Sequence, residues 1–454
     1  MQITETVSEG LRREFKIVVG RDDLDARLTG RIEEMKPQVH LKGFRPGKAP
    51  VSFLKKNFGK SVMGEIVEAV VSETSQKAIT ENSLKPAFQP RVELVSALEQ
   101  VVDGKSDLEF TVKVDLMPDF ELADIGKLKV EKLVTEVAAQ DVDAAIEKLA
   151  EQSRTYSPRD EGQAAEKDDA VSLDFVGSID GEEFQGGKAE NYNLVLGSGQ
   201  LIPGFEDQLI GAKAGESRDV KVTFPADYPE PKLTGKDAVF ICTIKEVKKP
   251  DPIVIDDGLA AKVGLDSLGT LKERVRDQLK QDYARASRTH LKRRILDVLD
   301  QAHAFPLPPT MVEGEFDAIW RAVEAELQRE GKTATDEGKS EEELKQEYRE
   351  IAERRVRLGL VLARIGEQNG ITIQNDELQR AIVARARQFP GQEQKVFDFY
   401  AKNPQAQAEI RAPIFEDKVV DFIAELAEVT ERPVDQAVLF LDPDEAAEKL
   451  KEAK

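Results

Sequence analysis

The 454-residue sequence is poor in the residues that carry covalent, redox and metal chemistry. It has one cysteine, Cys242, and three histidines, His40, His290 and His303. A single cysteine excludes an intramolecular disulfide and suits a reducing compartment, and the histidines lack the spacing of a metal site. Phosphate-binding loops, dinucleotide turns and nucleophile elbows are also missing from the sequence. We therefore expect any catalysis to proceed without a cofactor, a metal or a covalent nucleophile.

Long apolar runs and an excess of basic residues are missing as well. No segment approaches the length of a membrane span, and residues 1–19 lack the basic start and apolar run of a signal peptide. The chain carries 86 acidic and 65 basic residues, a net charge of −21. This balance argues against binding of DNA or an anionic membrane by the whole surface. The sequence predicts a cytoplasmic protein in which a local basic patch meets any anionic partner.

Secondary-structure patterns divide the chain into five parts and predict a multidomain α+β protein. Residues 1–112 mix strand-like alternation with helical spacing, as in a small α+β domain. Residues 113–160 are predicted to be a linker with extended character and one amphipathic helix. Residues 161–249 show short strands and glycine turns, typical of a β-rich domain, and the pair Asp180-Gly181 predicts a hairpin because Asp-Gly suits the positive φ of a tight turn. Residues 250–440 have the periodicity of an all-helical domain, and residues 441–454 form a charged tail.

One segment rich in glycine and proline, HLKGFRPGKAP at 40–50, holds an aromatic residue among positive charges. Between Glu34 and Glu65 lie 30 residues without an acid, where the composition predicts about six (86/454 × 30). Such a patch attracts phosphate or acidic protein in a salt-dependent manner, with Phe44 as a central apolar anchor. The alternative is that Phe44 folds back on its own domain, and the residues alone favour neither. The basic residues of this stretch are Lys36, Lys42, Arg45, Lys48, Lys55, Lys56 and Lys60.

The segment GFRPGKAP resembles the Gly-Phe-Arg-X-Gly-Lys-X-Pro signature of bacterial trigger factor, a family of ribosome-associated chaperones. The resemblance implies that this loop docks on the large ribosomal subunit near the tunnel exit, against a ribosomal protein and adjacent rRNA. It extends over essentially the full length and implies that the C-terminal helices hold nascent and unfolded polypeptides. From periodicity alone, a simple packed bundle is the alternative for these helices. The residues that match the signature are Gly43, Phe44, Arg45, Gly47, Lys48 and Pro50.

The stretch VLGSGQLIPGFEDQLIG, at 195–211, resembles the core of FKBP-type prolyl isomerases, and the likeness runs from about Asp169 to Val247. It implies an enzyme with an apolar pocket in which the backbone amide of Ile202 holds the substrate carbonyl. Taken singly, each pocket residue is more often part of a hydrophobic core. The pocket residues that the resemblance implies are Phe175, Phe184, Tyr192, Leu201, Ile202, Phe205, Tyr228 and Phe240.

Prolyl isomerisation suits a chain that lacks catalytic nucleophiles. An X-Pro bond isomerises by rotation about its C–N bond, against a barrier of about 20 kcal/mol, and needs no proton transfer. A dry apolar pocket favours the twisted amide, which has less charge separation than the planar one, so the pocket binds the transition state better than the ground state. Two positions depart from the family pattern. Gln185 stands where aspartate is frequent, and Glu230 stands where a second pocket tyrosine is common.

The two resemblances together imply an ATP-independent chaperone that binds nascent polypeptides at the ribosome and catalyses cis/trans isomerisation of X-Pro bonds. One alternative is a free-standing FKBP-type isomerase with helical protein-binding flanks and some other acidic partner. Another is a pure holding chaperone with a vestigial pocket, which is consistent with Gln185 and Glu230. A secreted chaperone-isomerase is the weaker alternative, because no signal segment is present.

Overall fold

The computed structural model describes residues 1–38, 44, 48–225, 228, 230, 232–331 and 340–452. The backbone divides into two compact units. Each unit combines segments that are distant in sequence, so neither can form from one continuous stretch of chain. The first contains Met1–Leu133, Arg288–Arg432 and Pro443–Ala447, and the second contains Val134–Ser287, Pro433–Asp442 and Glu448–Lys454.

The described N-terminal residues form an antiparallel sheet packed against helices. The strands are β1 (Gln2–Glu9), β2 (Arg12–Val19), β3 (Arg91–Leu94) and β4 (Leu108–Asp115), in the order β1-β2-β4-β3. The helices are α1 (Arg21–Met35), α2 (Val51–Glu81) and the short α3 (Leu98–Val102). Alternate side chains of β2 and β4, such as Ile17 and Phe110, share one buried core with Leu24 of α1 and Val67 of α2. This packing holds α2, which begins directly after the segment 40–50.

Residues 113–160, predicted as a linker, contain two elements that are packed into apolar cores. Strand β5 (Lys129–Val134) pairs with a strand at Glu428–Pro433. Helix α4 (Ala139–Gln152) buries Val142 and Ile146 in a cluster with Leu271. The amphipathic helix of the sequence prediction is therefore present, and its apolar face has a partner.

The β-rich region is a twisted antiparallel sheet with one very short helix. Its strands are β6 (Tyr156–Pro158), β7 (Ala170–Ile179), β8 (Glu182–Val195), β9 (Ser217–Thr223) and β10 (Asp237–Pro250), in the order β6-β10-β7-β8, with β9 also paired to β10. The hairpin predicted at Asp180-Gly181 is confirmed: both residues have positive φ, 55° and 87°, and they join β7 to β8. Helix α5 (Phe205–Leu209) lies in the connection between β8 and β9.

The described part of the C-terminal region is almost entirely helical, as its periodicity predicts. The predicted charged tail forms a helix that buries Ala446 and Leu450, so it has more to bury than its composition suggests. No helix in the described ranges combines the length and the apolar character needed to cross a membrane. The mixture of regions confirms the multidomain α+β class. The elements are α6 (Asp257–Lys262), α7 (Leu268–Ala302), α8 (Pro309–Glu330), α9 (Glu341–Gln368), α10 (Asn375–Ala386), α11 (Glu393–Lys402), α12 (Pro404–Leu426), β11 (Glu428–Pro433), α13 (Gln436–Leu439) and α14 (Pro443–Glu452).

Candidate functional site

A cavity of about 480 Å³ opens in the β-rich region, between strands β7, β8 and β10 and the loops that follow β8 and β9. Most of its described lining is apolar, and six of the eight predicted pocket residues belong to it. Gln185 and Glu230, the two departures from the family pattern, also face this cavity. The described lining consists of Phe175, Phe184, Gln185, Gly186, Gln200, Leu201, Ile202, Pro203, Phe224, Pro225, Tyr228, Glu230, Leu233 and Phe240.

Aromatic rings in edge-to-face contact form the wall of the cavity. Phe240 contacts Phe175, Phe184 and Phe205, with ring centroids 5.9, 5.9 and 5.2 Å apart. The Tyr192 ring also contacts the Phe175 ring, with their centroids 5.7 Å apart. Phe205 and Tyr192 were predicted as pocket residues, but they do not belong to the described lining. They support the rings that do, since edge-to-face pairs fix the orientation of their partners.

Two glycines leave the space that these rings occupy. A Cβ added at Gly177 would lie 2.5 Å from the Phe240 ring and 3.0 Å from the Phe184 ring. A Cβ at Gly187 would lie 2.9 Å from the Phe184 ring. Any side chain at either position would therefore displace the wall of the cavity. The sequence reasoning did not identify these glycines as site residues.

The loop that carries Leu201 and Ile202 is held by one buried carboxylate. Glu206, 6% exposed, accepts backbone hydrogen bonds from Gly197 at 2.7 Å, Gly199 at 3.0 Å and Gln200 at 2.9 Å. A longer bond of 3.3 Å comes from the Leu201 amide. Burial acts to raise the pKa of Glu206, but these amide bonds outweigh it and hold the pKa below its ordinary value. Glu206 is thus ionised at neutral pH and fixes the loop.

The backbone at Ile202 presents a free donor. Its carbonyl accepts a 3.0 Å bond from the Phe205 amide, which closes the turn through Pro203 and Gly204. The Ile202 N–H, in contrast, bonds to no group in the described part of the chain. Ile202 is one of the residues that line the cavity.

The described lining contains no hydroxyl other than that of Tyr228, and no thiol, imidazole or ammonium group. Cys242 is buried in the adjacent core, and burial raises its pKa to about 12, so the thiolate does not form at neutral pH. What the cavity offers is an apolar volume, fixed aromatic walls and one backbone donor. This set can bind an extended apolar segment and hold one carbonyl.

Sequence reasoning missed part of the cavity wall. Phe224 contacts both Tyr228 at 4.7 Å and Phe184 at 5.9 Å, and Leu233 lies beside it in the lining. Phe224 continues the alternation of Val220 and Val222 along β9, so the period of two was the signal that could have found it. Leu233 lies in a loop with no such pattern.

The second predicted site, the basic loop, is described only in part. Gly43, Arg45 and Gly47 lie outside the described residues, while Phe44, Lys48 and Pro50 are described. The backbone carbonyl of Pro50 accepts bonds from the Phe53 and Leu54 amides, both 3.1 Å, and so begins α2. Lys48 is exposed.

The Phe44 ring has one neighbour that the sequence reasoning missed. Its centroid lies 5.2 Å from that of Phe53, on the first turn of α2. The two side chains remain 37% and 40% exposed. Phe44 therefore contacts its own domain and still presents an aromatic surface to solvent, together with Phe53.

The helical region carries a separate exposed aromatic cluster. Phe389 and Phe399 are 42% and 54% exposed and line a shallow hollow of about 240 Å³ with Tyr400, Val396 and Lys395. Single exposed apolar residues are common on protein surfaces, but a group of three aromatic residues marks a surface suited to apolar partners.

Family models match three consecutive parts of the chain. Residues 1–149 match the model described as bacterial trigger factor protein. Residues 161–245 match the model of FKBP-type peptidyl-prolyl cis-trans isomerase. Residues 267–425 match the model described as the C-terminus of bacterial trigger factor protein.

Known proteins match over nearly the whole length. A trigger factor of Parvibaculum lavamentivorans is 53% identical over 98% of this chain and 87% of its own length. A trigger factor of Methylobacterium sp. is 51% identical over 99% of this chain and 93% of its own length. A solved structure concerned with promiscuous substrate recognition by the trigger factor chaperone is 20% identical, covers 94% of this chain and 99% of its own, and gives a TM-score of 0.60. At that identity, the structural match bears on the fold alone.

Proposed function

Because this chain belongs to the trigger factor family, and is a ribosome-associated chaperone with an FKBP-type prolyl isomerase domain, we propose which surfaces carry each activity. The cavity of the β-rich region isomerises X-Pro bonds. The surface around Phe44 docks on the large ribosomal subunit near the tunnel exit. Exposed apolar side chains of the C-terminal helices hold nascent and unfolded polypeptides. We assign the protein to the cytoplasm on the same grounds.

The observation that carries the isomerase assignment is the free Ile202 amide at the wall of an apolar cavity. A prolyl ring in this cavity would lie against Phe175, Phe184 and Phe240, with its carbonyl near that amide. Water would be displaced, and the apolar surroundings would favour the twisted amide over the planar one, which lowers the barrier to rotation. Rotation about the C–N bond needs no proton transfer.

The docking assignment is supported by exposure and charge. Phe44 and Phe53 form an exposed aromatic pair within the acid-free stretch 35–64. Aromatic anchors inside a charged rim are typical of interfaces in which few residues supply most of the binding energy. Basic residues around them would contact rRNA phosphates and acidic protein alike, so we expect the affinity to fall steeply as salt rises.

The assignment of client binding is supported by the aromatic cluster at Phe389, Phe399 and Tyr400. Such an open surface, with Lys395 at its edge, fits weak binding of many apolar segments. Phe399 and Tyr400 belong to α11, and Phe389 lies between α10 and α11.

Refolding of a protein whose slow step is prolyl isomerisation tests the isomerase assignment. We expect this chain to accelerate the slow phase, and Phe184→Ala to remove most of the acceleration, because that ring lines the cavity. Phe88→Ala is the matched control, since it removes an exposed phenylalanine that belongs to none of the proposed surfaces. An undiminished rate with Phe184→Ala would contradict the assignment, and no catalysis by the wild type would favour a pure holding chaperone.

Sedimentation with purified bacterial ribosomes tests the docking assignment. We expect salt-sensitive binding that the triple variant Phe44→Ala, Arg45→Ala, Lys48→Ala loses. Equal binding of both proteins would place the ribosome contact elsewhere. If neither protein binds, the alternative of a free-standing isomerase is favoured.

A further inference from the structure

Two acidic residues hold two lysines of the acid-free stretch in ion pairs. On α2, Lys55 Nζ donates to both carboxylate oxygens of Asp25 on α1, at 2.6 and 2.9 Å. Lys60 Nζ lies 2.7 Å from the Asp103 carboxylate, directly after α3. Both lysines belong to the stretch that we propose meets ribosomal phosphate. Part of its positive charge is therefore bound within the protein itself.

These pairs line one cleft of about 440 Å³ between α1, α2 and α3. Three acids face four cations there, which leaves a net charge of 4 − 3 = +1 in the described lining. Lys56, in contrast, has no acidic partner among the described residues. The charged residues of the cleft are Arg21, Lys55, Lys56 and Lys60, opposed by Asp22, Asp25 and Asp103. Because the cleft shares helix α2 with Phe53, it extends the proposed docking surface.

The two pairs differ in exposure: in the Lys55–Asp25 pair, the lysine side chain is 28% exposed and the aspartate side chain 61%. The Lys60 side chain is 81% exposed, and ion pairs of this kind are weak in water. Asp103 has a second cation, Lys105, at 2.9 Å, so it keeps a partner when Lys60 moves away. The bonds from Lys60 and Lys105 lower the pKa of Asp103 to about 2. Asp103 therefore stays charged at neutral pH and competes with any other anion for Lys60.

We propose that Asp25 and Asp103 are internal competitors that limit the affinity of this cleft for an RNA phosphate backbone. On docking, Lys55 and Lys60 exchange a carboxylate for a phosphate oxygen. The partner is RNA because three lysines of α2 line this one cleft, and a lysine ammonium is a point-charge partner for phosphate. The inference rests on the proposed docking function and adds a limit on its affinity. The ion pairs make ribosome binding weaker than the lysines alone would, so that binding remains reversible.

Asp25→Asn and Asp103→Asn test this inference in binding titrations with purified bacterial ribosomes at two salt concentrations. Each variant should bind about two- to fivefold more tightly at low salt, the range expected from the strength of exposed ion pairs. The slope of log affinity against log salt should steepen by up to about 0.9 for each lysine released. Asp22→Asn is the matched control. It makes the same charge change in the same cleft, but its nearest cation is Arg21 at 3.8 Å, so we expect a smaller change.

A double-mutant cycle separates competition from a structural role. Lys60→Gln should weaken ribosome binding more in the Asp103→Asn protein than in the wild type, because only the freed lysine is fully available. Equal effects in both backgrounds, or equal tightening by Asp22→Asn and Asp103→Asn, would overturn the inference. Protein-free rRNA should show the same order of affinities, and tightening confined to intact ribosomes would point to an acidic protein instead of RNA. If the wild type fails to bind ribosomes at all, the docking function itself is wrong.

Discussion

The cavity of the β-rich region and the surface around Phe44 use aromatic residues in opposite ways. At the cavity, the lining residue Phe240 and the supporting residue Phe205 are buried among other rings, and Glu206 fixes the adjoining loop. Around Phe44, the aromatic pair with Phe53 is more than one-third exposed and lies within the acid-free stretch 35–64. The first site depends on packing, since its shape is part of the domain core. The second depends on exposure, so its residues are free to change without loss of the fold.

Phe205→Ala should have the largest effect, because it removes a ring that is 2% exposed and contacts both Phe175 and Phe240. We expect the free energy of unfolding of the β-rich region to fall by about 3–5 kcal/mol, with loss of isomerase activity. Denaturant unfolding measures the loss of stability, and an isomerase assay of the same protein measures the loss of activity. As a control, Phe399→Ala should change the free energy of unfolding by less than about 0.5 kcal/mol. A change below 1 kcal/mol for Phe205→Ala would show that the cavity is not coupled to the core.

Glu206→Gln should lower stability by about 2–3 kcal/mol at neutral pH, because charge-assisted bonds to four amides lose their anion. The folded-state pKa lies below the ordinary 4.5, so the carboxylate stabilises the fold above pH 4.5, and this contribution disappears as the pH falls through the folded pKa. The stability difference between wild type and variant should therefore shrink below about pH 4.5. A difference that does not vary with pH would contradict this role of the charge.

Phe44→Ala should weaken ribosome binding by about 1–2 kcal/mol, roughly tenfold, as expected for a central aromatic anchor. The free energy of unfolding should stay within about 0.5 kcal/mol of the wild type, because the ring is exposed. Binding titrations and denaturant unfolding of the same preparation measure both quantities. If the free energy of unfolding falls as much as the free energy of ribosome binding, Phe44 stabilises its own domain, which is the alternative left open by the sequence.

Lys48→Ala should have the smallest effect of the four. Removal of one exposed charge should weaken ribosome binding only a few-fold at low salt and reduce the salt dependence of log affinity by about 0.7–0.9. Titrations at several salt concentrations measure the slope. A slope that matches the wild type would mean that Lys48 does not contact phosphate.

The sequence predicted the features that depend on local patterns and missed those that depend on contacts between distant residues. Alternation and turn chemistry located the strands and the Asp180-Gly181 hairpin, because these are local properties. The sequence did not predict the pairing of β5 with β11 or the burial of α4, because both depend on contacts between residues far apart in the chain. At the sites, the resemblance predicted eight pocket residues, of which six line the cavity, but it gave no reason to separate these six from Tyr192 and Phe205. Gly177, Glu206 and Phe53 escaped notice because their roles depend on a specific neighbour in space.

In our interpretation, one chain carries an isomerase cavity and a separate docking surface. Isomerase activity measured in the ribosome pellet and in the supernatant tests this claim most directly. For the wild type at low salt, we expect the activity to sediment with the ribosomes. For the Phe44→Ala, Arg45→Ala, Lys48→Ala protein, we expect the same total activity to remain in the supernatant. Loss of total activity in that variant, or sedimentation equal to the wild type, would contradict the account.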